Sequence, residues 1–586
     1  MGSVRLALIT ASLLFLGTKS SFAQGQAHHG EVCPRPAAMG PIPEPEDLRS
    51  QNGALRVELS FRSEVDAQGR IRYCYIDGDG IESPNLRLHP GDLLVLTLRN
   101  ELTAQAGAQS PAIMGRASNS HGNGGSGPCS GSAMTATSTN LHFHGLTIPP
   151  VCHQDDVLRT AIQASDVPFE YRFRIPQDQP PGLYWYHPHL HGFTKAQVMG
   201  GASGALIVEG IEHANREVAG LPERVFVIRD EDLLNPAAIP KDAGQQAPAA
   251  ILDRDGDARN TGDGSGKPAK DLSANFVSSP YPDYQGGVIQ MKPSERQFWR
   301  VVNASSITYL NLQLVVSGKA QMFGIVAVDG APINVTGGTY VVWQNHLGVP
   351  PGGRIEFIVQ GPPEGADSSL ITRSVNTGPI GENDPTRAIA KIVAKVDAAE
   401  PRSVLGAPAA EIQHLQLPWL GNVQPVRTRR LYFSEKLEDP KNPNSPTTFY
   451  LTVEGQTPTP FDPRSSVPNI VVHQGEVEDW IIENRSQELH DFHIHQVHFL
   501  MLEWFGIPIN EPFLRDTVPV PFWDGKTSQY PVVKLRMDFR DPNAIGLFPF
   551  HCHLLEHEDG GMMGLIRIDP LEGSEMPKRD QHAPVQ

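Results

Sequence analysis

A short segment near the C-terminus constrains the fold more than any other part of the chain. Residues 551–562 read His-Cys-His-Leu-Leu-Glu-His-Glu-Asp-Gly-Gly-Met, so a thiol, three imidazoles and a thioether lie close together. In a β-strand, successive side chains point to opposite faces. Cys552 then faces one side, and His551 and His553 face the other. The segment therefore predicts a strand with a metal site on each face.

The sulfur-containing face has the ligand types of a blue copper site. Cysteine sulfur selects copper, two imidazoles complete a trigonal set, and a weak axial methionine tunes the potential. The spacing Cys552-x4-His557-x4-Met562 lets one loop wrap around an ion, and His490 is the ligand expected from another strand. Met563 is an alternative axial ligand, one residue further on.

Three more His-x-His pairs lie upstream, whereas chance alone accounts for about one such pair in a chain of this histidine content. Together with the pair around Cys552 they supply eight imidazoles, from His142, His144, His187, His189, His493, His495, His551 and His553. Eight imidazoles without carboxylates suit copper, whereas zinc is normally satisfied by four ligands. Three coppers with two or three imidazoles each account for the number. His490 lies three residues before His493, an odd offset that places it on the opposite strand face, with Cys552.

The length and turn-residue content predict several all-β domains. The chain has 586 residues, including 55 glycines and 52 prolines, and convincing helical patterns are few. A strand–turn–strand pattern recurs in residues 55–100, 285–330 and 468–484, which indicates three β domains in series. We place their limits at residues 24–212, 213–398 and 399–586. Low-complexity insertions occupy residues 104–138 and 250–270.

The N-terminus has the features of a secretory signal peptide. Arg5 precedes a short apolar run over residues 6–17, and Ser21-Phe22-Ala23 offers small residues for cleavage before Gln24. Residues 1–23 are therefore predicted to direct export to the periplasm or the medium; the alternative is a buried N-terminal helix. No other segment predicts a membrane span. The net charge of −17 argues against nucleic acid or an anionic membrane as a partner.

Four of the five cysteines are candidates for disulfides. With Cys552 assigned to copper, the others are Cys33, Cys74, Cys129 and Cys152. Four cysteines in an oxidising compartment allow three pairings. We favour Cys33–Cys74 and Cys129–Cys152, the pairs nearest in sequence.

The copper motifs resemble those of the multicopper oxidase family, which includes laccases, cuprous oxidases, ferroxidases and bilirubin oxidases. The resemblance covers the whole mature chain and is closest to bacterial three-domain enzymes. It implies three cupredoxin-like Greek-key β-sandwich domains in series, with a trinuclear copper cluster between the first and third. It also implies four coppers: type 1 at His490, Cys552, His557 and Met562, type 2 at His142 and His493, one type 3 at His144, His187 and His553, and the other type 3 at His189, His495 and His551.

The sequence departs from the family pattern at two positions, and neither removes a ligand. Asp491 stands where proline is usual after the first histidine of the third motif. Gln496-Val497 replaces the common glycine after the last ligand of that motif. Asp491 is expected to affect the copper potential or donor binding.

The resemblance implies four one-electron oxidations coupled to the reduction of O2 to water. Cys552 offers a covalent electron route to His551 and His553, and carboxylates are suited to carrying protons. Glu558 and Asp155 are the candidates, with Asp156 an alternative to Asp155.

Phenols or aromatic amines are the donors predicted for a monomeric, laccase-like enzyme. No methionine lies between Met322 and Met501, unlike the Met-rich inserts of many cuprous oxidases. A metal-ion oxidase acting on Cu(I) or Fe(II) is the alternative. A non-catalytic cupredoxin scaffold or copper store is a third reading, from a different functional class.

Overall fold

A computed structural model describes residues 32–36, 39–103, 127–238, 262–333, 341–401, 403–406, 417–439 and 445–571. The predicted signal peptide, residues 1–23, lies outside the described residues, as does most of both low-complexity insertions. Within the described residues, the strands form three pairs of sheets that follow one another along the chain.

The first domain pairs a five-stranded sheet with a four-stranded sheet. Its strands are β1 (Asp47–Arg49), β2 (Ala54–Val65), β3 (Ile71–Asp77), β4 (Asn85–Leu88), β5 (Leu93–Asn100), β6 (His142–His144), β7 (Phe169–Arg174), β8 (Gly182–His187) and β9 (Gly204–Val208). The sheet orders are β1-β4-β9-β8-β6 and β3-β2-β5-β7. Strand β6 is an edge strand, antiparallel to β8, and pairs His142 with His187.

The second domain pairs a nine-stranded sheet with a six-stranded sheet. Its strands are β10 (Pro222–Glu231), β11 (Asp271–Ala274), β12 (Val277–Ser279), β13 (Gly287–Met291), β14 (Arg296–Asn303), β15 (Leu310–Val316), β16 (Lys319–Ala320), β17 (Phe323–Val328), β18 (Ala331–Pro332), β19 (Val342–Gln344), β20 (Leu347–Val349), β21 (Arg354–Gln360), β22 (Ser368–Thr372), β23 (Arg387–Ala394) and β24 (Ser403–Val404). The larger sheet is built on β12-β11-β10-β14-β21-β17-β18, and the smaller on β13-β23-β22-β15-β16. Strand β24 returns to pair with the start of β10.

The third domain pairs a six-stranded sheet with a five-stranded sheet. Its strands are β25 (Arg427–Leu437), β26 (Thr447–Val453), β27 (Ile470–His473), β28 (Val477–Asn484), β29 (His490–Ile494), β30 (Phe499–Trp504), β31 (Ile507–Pro508), β32 (Thr517–Val520), β33 (Val532–Asp538), β34 (Gly546–Cys552) and β35 (Met563–Asp569). The orders are β26-β25-β28-β33-β30-β31 and β27-β35-β34-β29-β32. Strands β29 and β34 are therefore neighbours.

Helices are short in the described part of the chain. They are α1 (Thr194–Met199), α2 (Ile211–Ala214) and α3 (Leu555–Asp559), with 3-10 turns at Pro128–Ser130, Arg216–Val218, Leu420–Asn422 and Pro542–Ala544. None of these helices is long and apolar enough to cross a bilayer. The predicted all-β class is confirmed, while the domain limits proposed from the sequence stay a prediction.

Alternating apolar residues explain why these segments form sandwiches. In β2, the side chains of Leu55, Val57, Leu59 and Phe61 are buried between the sheets, and polar residues alternate with them. Burying one such side chain contributes about 1.5–3 kcal/mol. Each domain has its own apolar cluster between its two sheets.

Two disulfides join the cysteine pairs that are nearest in sequence. Cys33 bonds to Cys74 and Cys129 bonds to Cys152, so the favoured pairing is confirmed. Cys552 is buried and carries a free thiol. It is therefore available as a ligand, as the sequence motif requires.

Candidate metal centres

The thiol of Cys552 meets two imidazoles at one end of the third domain. Cys552 ends β34, His490 begins β29, and His557 lies in α3. The Sγ atom of Cys552 lies 3.6 Å from Nδ1 of His490 and 3.8 Å from Nδ1 of His557. The two Nδ1 atoms are 3.1 Å apart. One ion can therefore contact all three atoms, and α3 returns the chain from β34 to this site.

Met562 lies on the same side of the sheet as this triad. The backbone N–H of Cys552 donates to the carbonyl of Met562, whereas His551 is paired in register with Met563. Cross-strand partners share a face, so Met562 accompanies Cys552 and Met563 accompanies His551. Met562 is fully buried in the same apolar cluster as Cys552. This register favours Met562 over Met563 as the axial residue.

The Nε2 atoms of His490 and His557, the ring nitrogens that do not face Cys552, contact other side chains. Nε2 of His490 lies 2.7 Å from the Ser486 hydroxyl and 3.1 Å from the Glu435 carboxylate. Nε2 of His557 lies 3.5 Å from the Glu488 carboxylate. These contacts turn both Nδ1 atoms toward Cys552. Burial raises the pKa of the Cys552 thiol well above its usual range, so a metal must displace a proton to bind the sulfur.

The other face of the sheet brings together the eight remaining histidines. The first domain supplies four from β6, β8 and the residue pair that follows β8, and the third domain supplies four from β29, β34 and the residues just after them. Their ligand atoms fall into three groups, each within 4.8 Å: His142, His144 and His493; His144, His187 and His553; and His189, His495 and His551. The register explains the convergence, because His493 is directly opposite His551 across β29 and β34.

Most of these rings have one buried nitrogen with no hydrogen-bond partner in the described part of the chain. The atoms are Nε2 of His142, His187 and His493, Nδ1 of His144 and His495, and both ring nitrogens of His553. Buried polar atoms are nearly always paired, so this many unpaired nitrogens in one place fits a metal-binding site. Imidazole nitrogens facing one another in a dry interior fit copper ions.

In three of these rings, the nitrogen opposite the unpaired one contacts another group of the protein. Nδ1 of His142 lies 3.0 Å from the Asp155 carboxylate, and Nδ1 of His187 lies 2.9 Å from the carbonyl of Pro188. Nδ1 of His493 lies 2.8 Å from the carbonyl of Asp516. Such contacts set the ring orientation and leave the other nitrogen as the metal ligand.

Burial favours the neutral form of several imidazoles in this cluster. It lowers the pKa of His144, His187 and His189 well below the usual value, and neighbouring imidazoles lower it further. The pKa of His553 is lowered to about 3, again mainly by burial. Neutral imidazoles keep a lone pair for a cation, so the cluster is chemically ready to bind metal.

Two buried carboxyl groups contact opposite sides of the cluster. Asp155 contacts His142 and also accepts hydrogen bonds from the backbone N–H of Phe143 and the side chain of Gln496. Asp155 is buried, whereas Asp156 is partly exposed. Glu558 is fully buried and lies 3.3 Å from Nδ1 of His551. Its other oxygen lies 3.6 Å from Nδ1 of His189.

The second domain also contributes to this site, which the sequence did not predict. Arg354 makes a two-pronged hydrogen bond to Asp516 at 2.6 and 2.5 Å, and Asp516 lies 3.3 Å from Nε2 of His144. This pair links all three domains at one histidine. Gly352 lies against His553, and a Cβ at this position would come within 2.6 Å of Nε2 of that ring.

Gln496 gives a structural reason for one of the departures noted in the sequence. Its backbone has φ +58°, in the left-handed region that favours glycine. Its amide donates a 2.5 Å hydrogen bond to Asp155, across the boundary between the third and first domains. This hydrogen bond offsets part of the cost of placing a side chain there.

Comparisons with known proteins agree with this geometry. Two family models described as "Multicopper oxidase" match residues 133–213 and 440–572. A multicopper oxidase of Staphylococcus epidermidis is 23% identical over 438 residues, covering 73% of this chain and 76% of that protein. A laccase of Bacillus subtilis is 23% identical over 422 residues, covering 68% of this chain and 73% of that protein.

The fold is also shared with solved structures. A multicopper oxidase from Campylobacter jejuni, described as a metallo-oxidase, superposes with a TM-score of 0.60 at 22% identity, covering 90% of this chain and 96% of that one. The three sandwiches are therefore cupredoxin-like domains. Residues 133–213 and 440–572 therefore match the multicopper oxidase family, the copper-dependent oxidoreductases that couple oxidation of a donor to reduction of O2.

Proposed function

We propose that two groups of side chains hold four coppers in this chain. A type 1 copper is held by His490, Cys552, His557 and Met562. The type 2 copper is held by His142 and His493, one type 3 copper by His144, His187 and His553, and the other by His189, His495 and His551. The observation that carries this proposal is the set of buried, unpaired imidazole nitrogens that converge within the 4.8 Å groups.

When bound, the four coppers supply four one-electron centres, the number that reduction of one O2 to two waters requires. The chain connects the two groups through Cys552, whose backbone continues directly into His551 and His553. This connection is covalent throughout. This covalent path favours the transfer of electrons from the thiolate site to the histidine cluster over their loss to solvent.

Two carboxyl groups are suited to handling the protons. Burial raises the pKa of Glu558 well above its usual range, and the neighbouring Asp559 raises it further. Burial therefore favours the protonated form of Glu558, whose carboxyl group lies 3.3 Å from Nδ1 of His551. Asp155 contacts Nδ1 of His142 on the other side of the cluster. Each acid serves a different side of the site where O2 is reduced.

The donor delivers electrons near His557, the ligand beside the domain surface. Phenols and aromatic amines are the donors predicted from the sequence, and one relative is named a laccase. Metal ions such as Cu(I) or Fe(II) are the alternative. Export, the monomeric state and the domain limits at residues 24–212, 213–398 and 399–586 stay part of this proposal.

The test is to load the purified chain with copper, count the coppers and follow oxygen uptake. We expect four coppers per chain, an intense blue absorption, and oxygen uptake with at least one donor among a phenol, Cu(I) and Fe(II). A copper count below four, or no uptake with any of them, contradicts the proposal. A non-catalytic copper store binds copper without taking up oxygen.

The variant Cys552→Ser separates the two copper groups. It should lose the blue absorption and the oxygen uptake, because serine lacks the thiolate that binds copper. It should keep the three coppers of the histidine cluster. Loss of all four coppers would show instead that the two groups do not bind independently.

A further inference from the structure

A pocket lies between the first and second domains, and none of the proposed copper ligands lines it. Its volume is about 170 Å³. The first domain supplies Arg35, Arg70 and Arg72 to its wall, and the second supplies Ser273 and Phe276 among others. A cavity of about 150 Å³ is large enough for a benzene ring, so this pocket has room for a small molecule.

The wall of this pocket carries a net positive charge. Among the described residues that line it are three arginines and one acid, Glu231. Arg70 contacts the Glu231 carboxylate through Nη1 at 3.2 Å, and the Ser278 hydroxyl donates to the other carboxylate oxygen. Both oxygens of Glu231 therefore have partners, and the remaining positive charge favours an anion.

The carboxylates behind the wall are also bound by neighbouring groups. Asp66 lies 2.8 Å from both Nε and Nη2 of Arg70. Glu82 lies 3.2 Å from Nη2 of Arg35. Glu64 accepts hydrogen bonds from two backbone N–H groups of the N-terminal segment. These contacts hold the three carboxylates away from the interior of the pocket.

Arg35 and Arg72 keep N–H groups without partners in this environment. The Nε atoms of both side chains are buried, and neither has a hydrogen-bond partner within the described ranges. Arg72 is only 21% exposed, and the carboxylates of Asp66 and Glu64 lie 3.4 and 4.0 Å from its nitrogens without forming hydrogen bonds. Buried polar atoms are nearly always paired. A guanidinium group is matched by the two oxygens of a carboxylate or a phosphate, so an oxyanion suits these N–H groups.

Phe276 contacts Arg35 from a strained turn. It is the second residue of the two-residue turn between β11 and β12, and its φ of +67° lies in the left-handed region. Bulky residues rarely adopt this conformation. The ring centroid of Phe276 lies 3.9 Å from Cζ of Arg229 and 4.7 Å from Cζ of Arg35. Strained residues are frequent at ligand sites, so the turn supports a binding role for this wall.

We propose that this pocket binds a small oxyanion, a phosphate or a carboxylate group, through Arg35, Arg70 and Arg72. Arg72 is the main contact, because its guanidinium group has the fewest partners within the protein. The anion contacts both domains, since Ser273 of the second domain also lines the pocket. Binding therefore stabilises the interface between the first and second domains.

The test titrates inorganic phosphate and succinate, in separate experiments, into the copper-loaded chain in a calorimeter. Sodium chloride keeps the ionic strength constant, because salt screens charges. We expect saturable binding of at least one anion, and a higher unfolding temperature in its presence, because a ligand that binds only the folded state stabilises it. Binding of phosphate alone identifies a tetrahedral oxyanion, and binding of succinate alone identifies a carboxylate.

Variants of Arg72 show whether the anion binds in this pocket. Arg72→Gln should weaken binding by about tenfold or more, because a charge-assisted hydrogen bond is lost. Arg72→Lys keeps the charge but not the two-pronged geometry, so its affinity should lie between those of Arg72→Gln and the unaltered chain. Arg99→Gln is the matched control, since Arg99 lies on β5 in the same sheet as Arg72 and is 55% exposed. It should leave binding unchanged.

The unfolding temperature of each variant without anion shows whether it folds, and Arg72→Lys carries the comparison if Arg72→Gln does not fold. Anions also bind metal ions, so the electron paramagnetic resonance signal of copper is recorded during the titration. Binding that changes this signal and persists in both Arg72 variants places the anion at copper and overturns the proposal. Absence of binding by either anion, or equal weakening in Arg99→Gln, also overturns it.

Discussion

At the scale of single residues, the alternation of side chains along a strand accounts for most of the site. Cys552 and His551 are adjacent in the chain, yet they face different metal groups because β34 is extended. This much follows from the sequence pattern. The choice between Asp155 and Asp156 does not, because it depends on how the loop after His144 folds back. Asp155 is buried against His142, and Asp156 is partly exposed.

Because only Asp155 is buried against His142, the variant Asp155→Asn tests whether Asp155 rather than Asp156 supports the proposed type 2 copper. The amide removes the negative charge at Nδ1 of His142, and loss of such a contact typically weakens metal binding by about 10–100-fold. We expect lower copper occupancy at the type 2 site, seen as loss of its electron paramagnetic resonance signal. Asp156→Asn is the matched control and should keep that signal. Equal effects of the two variants would contradict the assignment of Asp155.

At the scale of elements, one helix and one turn shape the copper sites in ways that the sequence pattern did not predict. The spacing of Cys552, His557 and Met562 predicts a loop, whereas the stretch after Cys552 forms the short helix α3, which carries His557 and Glu558. The turn before β21 brings Gly352 against His553. Contacts of this kind join residues about 200 positions apart, and no local pattern encodes them.

The contact at Gly352 predicts a specific effect of adding one methyl group. Gly352→Ala must strain a backbone with φ +79° and also displace the His553 ring, which lies 2.6 Å from the new Cβ. We expect reduced copper in the cluster and reduced oxygen uptake. Gly318→Ala has nearly the same φ, +75°, and open space around it, so it should cost only about 1 kcal/mol of stability and keep its copper. Copper loss in both variants would point to backbone strain rather than ring displacement.

At the scale of the whole molecule, the second domain contacts the site although none of the proposed copper ligands lies in it. Its Arg354 holds Asp516, which in turn lies beside His144 of the first domain. The Arg354 guanidinium helps hold the pKa of Asp516 below its usual range despite burial. The family resemblance predicts where the cluster lies, but it does not predict the Arg354–Asp516 pair. Histidine motifs indicate the metal ligands, and they carry no information on the residues that contact those ligands.

Breaking this pair should destabilise the assembled chain. Arg354→Met leaves the Asp516 charge buried without its partner, which typically costs about 3–5 kcal/mol. We expect a lower unfolding temperature and weaker copper binding at the cluster. Arg567→Met breaks an exposed pair with Asp569 and should cost less than about 1 kcal/mol. Similar losses in the two variants, measured by thermal unfolding, would contradict a special role for Arg354.

The stability of the whole chain should also depend on pH through Asp384. Burial raises the pKa of Asp384 from its usual 3.8 to about 7, while Arg387 lowers it and Asp230 raises it. Its folded-state pKa lies above its unfolded value, so its contribution to stability is present at low pH and is lost as pH rises from about 4 through 7. Asp384→Asn should flatten this part of the plot of unfolding temperature against pH. An unchanged slope would show that other groups dominate.

The split origin of the histidine cluster has a consequence for biosynthesis. His189 and His551 approach to 3.3 Å although 362 positions separate them. When a nascent chain has completed its first domain, it contains four of the eight histidines of the cluster. The other four belong to the third domain, and they are needed to complete the coordination of the proposed copper ions. The full set of histidine ligands can therefore form only after the last strands have been synthesised and have packed against the first domain. A prematurely terminated chain that lacks residues 490–553 would therefore be without half of the histidines in the cluster.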